Sequence, residues 1–249
     1  MTVCEARTVQ IPNGDLLINA YLVEPSTRQK CPAVIVIQEI FGVNGHIRDV
    51  TRRVAELGYV AIAPNIYQRI APGFEAGYGP EDIKLGREYK MQTKASELLS
   101  DLQATIDYLY QLPQVQQLGV GTVGFCFGGH VVYLAATLPE VRATASFYGA
   151  GIANWCPGEA AASTIERTKD IQGELFAFFG TEDASVPPEQ VVQIKAELER
   201  QKISHQVFEY DGAGHGFFCD RRGSYHKEAA EDAWEKVKVL FQTQLNERS

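Results

Sequence analysis

Short unbroken apolar runs alternate along the chain with longer stretches whose apolar residues return at helical spacing. The run at 33–37, Ala-Val-Ile-Val-Ile, has no polar alternation, which predicts a strand buried on both faces of a largely parallel sheet. Ile47, Val50, Val54 and Leu57 follow at helical spacing, Gly58 stops that helix, and the run at 59–63 ends at Pro64. Residues 33–64 therefore read as a β-α-β unit. Runs at 119–124, 143–148, 175–179 and 205–210 predict further strands. Helical spacing over 98–109, 130–138, 188–201 and 225–245 predicts the helices that separate and close them. The N-terminal stretch differs. Over 7–24, Val9 and Ile11 alternate with polar neighbours, Asn13-Gly14 supplies a turn, and Leu16, Ile18, Ala20 and Leu22 alternate back, the pattern of an antiparallel hairpin. Residues 65–86 are rich in Gly, Pro and Tyr and predict a long excursion over the sheet's rim, the kind of loop that carries function. The expected fold class is α/β: a doubly wound, mostly parallel sheet with an N-terminal antiparallel hairpin, formed by residues 1–249 as a single domain. Its ligand site belongs at the carboxyl ends of the strands.

Composition narrows the partners. A net charge of -8 without a Lys/Arg cluster argues against nucleic acid or an anionic membrane surface and fits a small-molecule site. The first seven residues lack the basic start and apolar core of a secretory signal, and no run approaches transmembrane length, so a cytoplasmic protein is expected. Five cysteines, Cys4, Cys31, Cys126, Cys156 and Cys219, are an odd number without metal-type spacing. They read as reduced thiols.

The candidate chemistry begins at Gly124-Phe125-Cys126-Phe127-Gly128-Gly129, where an apolar strand runs through a Gly-x-Cys-x-Gly-Gly turn into a helical pattern. This is the form of a nucleophile elbow with cysteine at the tip, leaving the Phe127 amide at a helix start where an oxyanion would form. Asp183 follows the strand at 175–179, and His215, flanked by Gly212, Gly214 and Gly216, follows the strand at 205–210. Nucleophile, acid and histidine thus occur in α/β-hydrolase order. A free thiol has a pKa of about 8.5, so an imidazole that takes its proton raises the reactive fraction. Taken alone, Cys126 reads as a small buried hydrophobe, Asp183 as a turn carboxylate with Glu182 as a rival, and His215 as a turn histidine. Their order is what favours catalysis. His46, His130, His205 and His226 read as helix, loop or strand surface residues.

Gln38-Glu39-Ile40-Phe41-Gly42-Val43-Asn44, Ala63-Pro64-Asn65-Ile66-Tyr67, the cysteine elbow, Tyr148-Gly149 and Gly214-His215-Gly216-Phe217 together resemble the dienelactone hydrolase (carboxymethylenebutenolidase) family over nearly the whole chain. The resemblance implies a Cys126, His215 and Asp183 triad that opens a lactone ring without metal or organic cofactor, with the oxyanion held by the amides of Phe127 and Ile40. It also implies that Glu39 contacts the resting thiol and helps to make the thiolate when substrate arrives. The family holds its substrate carboxylate with two arginines. Arg87, beside Tyr89-Lys90, is the candidate for one, whereas Cys219 stands where the other is expected, leaving Arg221 or Arg222 to reach in. The function expected is a cysteine-dependent lactone hydrolase, a monomer or weak homo-oligomer. A broader carboxylesterase is the first alternative, and a redox-responsive thiol module the second.

Overall fold

The structure, a computed structural model, describes residues 3–27 and 29–246. Met1, Thr2, Arg28 and residues 247–249, which fall within the predicted 1–249 unit, lie outside the described residues. Among the described residues eight strands form one sheet: β1 (Cys4–Asn13), β2 (Leu16–Pro25), β3 (Cys31–Ile37), β4 (Val60–Pro64), β5 (Val115–Phe125), β6 (Val141–Phe147), β7 (Glu174–Gly180) and β8 (His205–Tyr210). They lie in the order β1-β2-β4-β3-β5-β6-β7-β8. The predicted hairpin pairs β1 with β2, β2 runs antiparallel to β4, and every later pair is parallel. From β3 the chain steps to β4 on one side, then crosses to β5 on the other, so a switch point opens between the ends of β3 and β5.

The unbroken apolar run of β3 has a direct cause. Val34 and Val36 pack into a core with α1 (Gly45–Glu56) and α6 (Lys227–Leu245), while Ala33, Ile35 and Ile37 pack into a second core with α3 (Ala95–Gln111) and α4 (Phe127–Ala135). On that second face α5 (Pro188–Arg200) covers β7 through Val191, Ile194 and Leu198. Helices on both faces make the sheet doubly wound. None of them is long and apolar enough to cross a membrane, among the described residues.

Three local expectations need correction. The helical spacing over 130–138 marks only part of the helix after Cys126, because Gly128 and Gly129, poor helix formers, are there for close approach rather than propensity; that helix starts at Phe127, as the elbow implies, and ends at Ala135. A helix that the pattern did not announce, α2 (Pro80–Gln92), occupies the end of the predicted excursion. Pro at its start and Asp82, whose carboxylate accepts from the Gly79 amide at 3.1 Å, fix its first turn, but Gly86 is its only buried residue. The stripe it turns to the cleft, Ile83, Arg87, Lys90 and Met91, mixes charge with apolar groups and so leaves no clean period. His46 and His130, read as surface residues, are buried.

Candidate active site

Cys126 sits between β5 and α4 at φ 56° and ψ -114°, a strained backbone for a residue with a side chain. Such a conformation costs about 1–3 kcal/mol and persists only where neighbours enforce it. The enforcement is visible. The Cys126 amide donates to the Phe147 carbonyl at 3.0 Å, and its carbonyl accepts from the His130 amide at 3.2 Å. A Cβ on Gly124 would strike the Gly128 carbonyl, and one on Gly128 would strike the carbonyls of Ile37 and Gln38. The bare glycines therefore let the first turn of α4 press against the end of β3. Among the described residues neither the Phe127 nor the Ile40 amide is spent on a backbone partner.

The loops after β7 and β8 are stitched together. The Glu182 amide donates to the Ala213 carbonyl at 3.0 Å, and the Thr181 amide to the Tyr210 carbonyl at 3.0 Å. This brings His215 Nδ1 to 2.8 Å from Asp183 Oδ2. Because a carboxylate only accepts, Nδ1 carries the proton and Nε2 is left for Cys126. Asp183 is itself anchored: Oδ1 accepts from the amides of Ser185 at 2.7 Å and Val186 at 3.3 Å. Burial works against a charged ring at His215. The charge of the Cys126 sulfur, followed by hydrogen bonds from the ring to Asp183 and Cys126, overcomes it, and the His215 pKa is pushed up to about 10.

Glu39, just past β3, is fully buried and paired with Arg222, whose Nη1 donates to Oε1 at 2.8 Å. Its other oxygen has no hydrogen-bond partner. Burial raises the Glu39 pKa, against the charges of Arg222 and His215. The Arg222 guanidinium also lies over the rings of Tyr78 at 5.5 Å and Phe41 at 5.8 Å. Gly216, at φ 83°, leaves the space it occupies, since a Cβ there would meet it.

A cleft of about 450 Å³ opens over Cys126, lined by Ile40, Arg87, Lys90, Trp155, His215 and Arg222 among others. Three cations line it and, among the described residues, no carboxylate does. Lys90 Nζ stands 4.7 Å from the Trp155 ring centre and 5.5 Å from that of Phe127, and burial lowers its pKa against the charge of Cys126. Of the sequence-derived binding residues, Arg87 lines the cleft and two do not. Tyr89 packs edge-on against Tyr67 and Phe74, and Arg221 turns onto Gly45 at the start of α1; of the alternatives Arg221 and Arg222, it is Arg222 that lines the cleft. Lys90 and Trp155 were not singled out from the sequence. Lys90 carried a signal, since it lies one helical turn from Arg87 on α2, whereas Trp155 sits in an irregular segment without one.

A thiol on the strand-to-helix elbow after β5, with the acid loop after β7 and the histidine loop after β8 of a mostly parallel sheet, is the layout of the α/β-hydrolases. The fold of Pyrococcus horikoshii acylaminoacyl peptidase agrees, with a TM-score of 0.75 at 16% identity over 100% of this chain and 43% of that one. A crystal structure of a "Putative Dienelactone Hydrolase" from Klebsiella pneumoniae subsp. pneumoniae matches with a TM-score of 0.87 at 29% identity, covering 96% of this chain and 99% of that one. In sequence, a "Putative carboxymethylenebutenolidase" from Synechocystis sp. is 60% identical over 237 residues, 95% of this chain and 96% of its own length. The model of the dienelactone hydrolase family matches residues 18–245, and the chain belongs to that family.

Proposed function

We propose that the chain, as a single cytoplasmic domain, hydrolyses an anionic lactone through a cysteine nucleophile. The observation that carries this reading is the strained Cys126 at the floor of a cleft shared with the His215–Asp183 pair. The thiol proton rests on His215 Nε2, and the sulfur attacks the lactone carbonyl. Charge then moves to the carbonyl oxygen, where the amides of Phe127 and Ile40 receive it. One such donor is worth about 3 kcal/mol of barrier. When the tetrahedral adduct collapses, the ring C–O bond breaks and the leaving oxygen takes the proton from His215. Water, deprotonated by the same ring, attacks the thioester, and the second adduct expels the sulfur. Lactone and water become a ring-opened hydroxy acid or its tautomer.

Asp183 is the orienting group, and Glu39 acts from beneath the cleft as the carboxylate that sets Arg222. The three cations support a substrate that carries negative charge, with Arg87, Lys90 and Arg222 rather than Tyr89 and Arg221 as its partners. The test compares dienelactone with the neutral ester p-nitrophenyl acetate. Cys126→Ala is expected to abolish turnover of both, and Arg87→Ala to raise KM for the charged lactone alone. Unchanged turnover in Cys126→Ala rejects the reading.

A further inference from the structure

We propose that Glu39, His46 and Cys219 form a binding site for a thiophilic divalent cation of the zinc class, behind the wall of the cleft. A ring nitrogen of His46, Cys219 Sγ and a carboxylate oxygen of Glu39 all lie within 4.8 Å of one another. They come from three separate segments, the end of β3, the first turn of α1 and the loop after β8. Thiolate, imidazole and carboxylate together are a donor set that zinc favours. Ligands around a tetrahedral zinc stand roughly 3.5 Å apart, so the three donors need to close by on the order of 1 Å.

The donors are also unsatisfied in a way that a cation repairs. All three residues are buried, and both His46 Nε2 and Glu39 Oε2 have no hydrogen-bond partner. Buried polar atoms without partners are rare, and two beside one thiol call for a ligand. Glu39 Oε1 is already fixed by Arg222, which orients the carboxylate from outside as an outer-shell partner does at metal sites. The Cys219 thiol lies 3.2 Å from the Tyr78 hydroxyl. On binding, the S–H bond breaks, its proton leaves to solvent and a metal–sulfur bond forms, with no change of oxidation state. The fourth position falls to water or to the Tyr78 oxygen.

The site adjoins a recess that shares no lining residue with the cleft. His46 forms part of a recess of about 130 Å³ whose rim carries Asp49, Asp220, Glu231 and Glu235. Arg53 shares that rim, but its guanidinium lies 4.4 Å from the Trp234 ring centre. Glu231 and Glu235 pair with Lys227 and Lys238, so Asp49 and Asp220 are the carboxylates that draw a cation inward, against Arg53, Arg221 and Arg222. None of the cleft-lining residues is a ligand, and Glu39 is the one ligand shared with the hydrolytic machinery, so the cation reaches the cleft through the Glu39–Arg222 pair.

The test titrates the full chain with Co²⁺ and follows thiolate-to-cobalt charge transfer. One Co²⁺ per chain, displaced by Zn²⁺, is expected. Cys219→Ser should abolish the band, and His46→Gln should weaken affinity by more than the roughly 10- to 100-fold typical of an outer-shell change. Cys126→Ser should keep the band. Zinc K-edge absorption on the unsubstituted, zinc-loaded chain should show one sulfur at about 2.3 Å with nitrogen and oxygen neighbours, which covers the case of a variant that fails to fold. No saturable band, a band that survives Cys219→Ser or disappears in Cys126→Ser, or a zinc shell without sulfur overturns the proposal. None of these readouts uses hydrolysis, so their outcome is separate from that of the reaction proposed above.

Discussion

His215 donates from Nδ1 to Asp183 at 2.8 Å, and the other oxygen of that carboxylate is held by two backbone amides, so the ring can present only Nε2 to Cys126. The ring's affinity for a proton follows from that arrangement. Its pKa of about 10 depends most, among the groups that raise it, on the charge of the Cys126 sulfur. Cys126→Ser removes that charge, and NMR titration of the imidazole should show the His215 pKa falling in the variant. An unchanged titration contradicts the account. Since the folded pKa is raised above the ordinary 6.5, the stability it contributes is full below pH 6.5 and lost as pH rises through about 10. Unfolding measured across that window should be flatter in His215→Gln.

The Glu39–Arg222 pair predicts an asymmetry. The Glu39 side chain is 1% exposed and that of Arg222 17%, so Arg222→Ala leaves a buried carboxylate without its counter-ion. Breaking a buried pair costs about 3 kcal/mol, toward the lower end of the usual range for a partner that still meets solvent. Adding Glu39→Gln to Arg222→Ala removes the stranded charge and should recover much of the loss. Denaturant titration of the single and double variants checks this, and equal losses in both contradict it.

Two buried histidines predict acid sensitivity. His130 is enclosed, bonded to the Ala150 carbonyl at 3.0 Å and the Thr164 hydroxyl at 2.7 Å, and burial lowers its pKa to about 3. His46 is lowered to about 4 by the same cause. Depressed pKa values in bases mean that stability is intact above pH 6.5 and lost as pH falls from there toward those values. Each ring contributes a slope of about 1.4 kcal/mol per pH unit. His130→Gln should flatten the decline measured between pH 6 and 4.5, and an unaltered slope counts against it.

Much of this was legible in the sequence for identifiable reasons. The runs of β3 and β7 are apolar on both faces because both faces are covered, and a two-residue hairpin turn announces itself through Asn13-Gly14. The order of Cys126, Asp183 and His215 was visible because each follows a readable strand. What was hidden was side-chain direction. Arg221 and Arg222 are neighbours in sequence, yet one lies against Gly45 and the other on Glu39, a choice set by a distant glycine and a buried acid. The helix α2 leaves no readable period because one of its faces lines a cleft instead of a core, so charge takes positions where apolar residues would have marked the period.

That face supplies a prediction about substrate charge. Lys90 is wedged between Trp155 and Phe127 close to Cys126, and Arg87 lies one turn away. Lys90→Met keeps the length of the side chain and removes the charge. KM for an anionic lactone should rise by about tenfold or more, the effect of a lost interaction of about 1.4 kcal/mol, with little change for a neutral ester. Equal effects on both substrates would mean that Lys90 shapes the cleft without reading charge.

The central claim is that Cys126 makes and breaks a bond with the acyl group. Its most direct test is acid quenching of the protein during turnover of p-nitrophenyl acetate, followed by peptide mass spectrometry. An acyl group mapped to Cys126 in the native chain, and absent together with turnover in Cys126→Ala, is the predicted result; an adduct on another residue, or turnover that persists in Cys126→Ala, contradicts it.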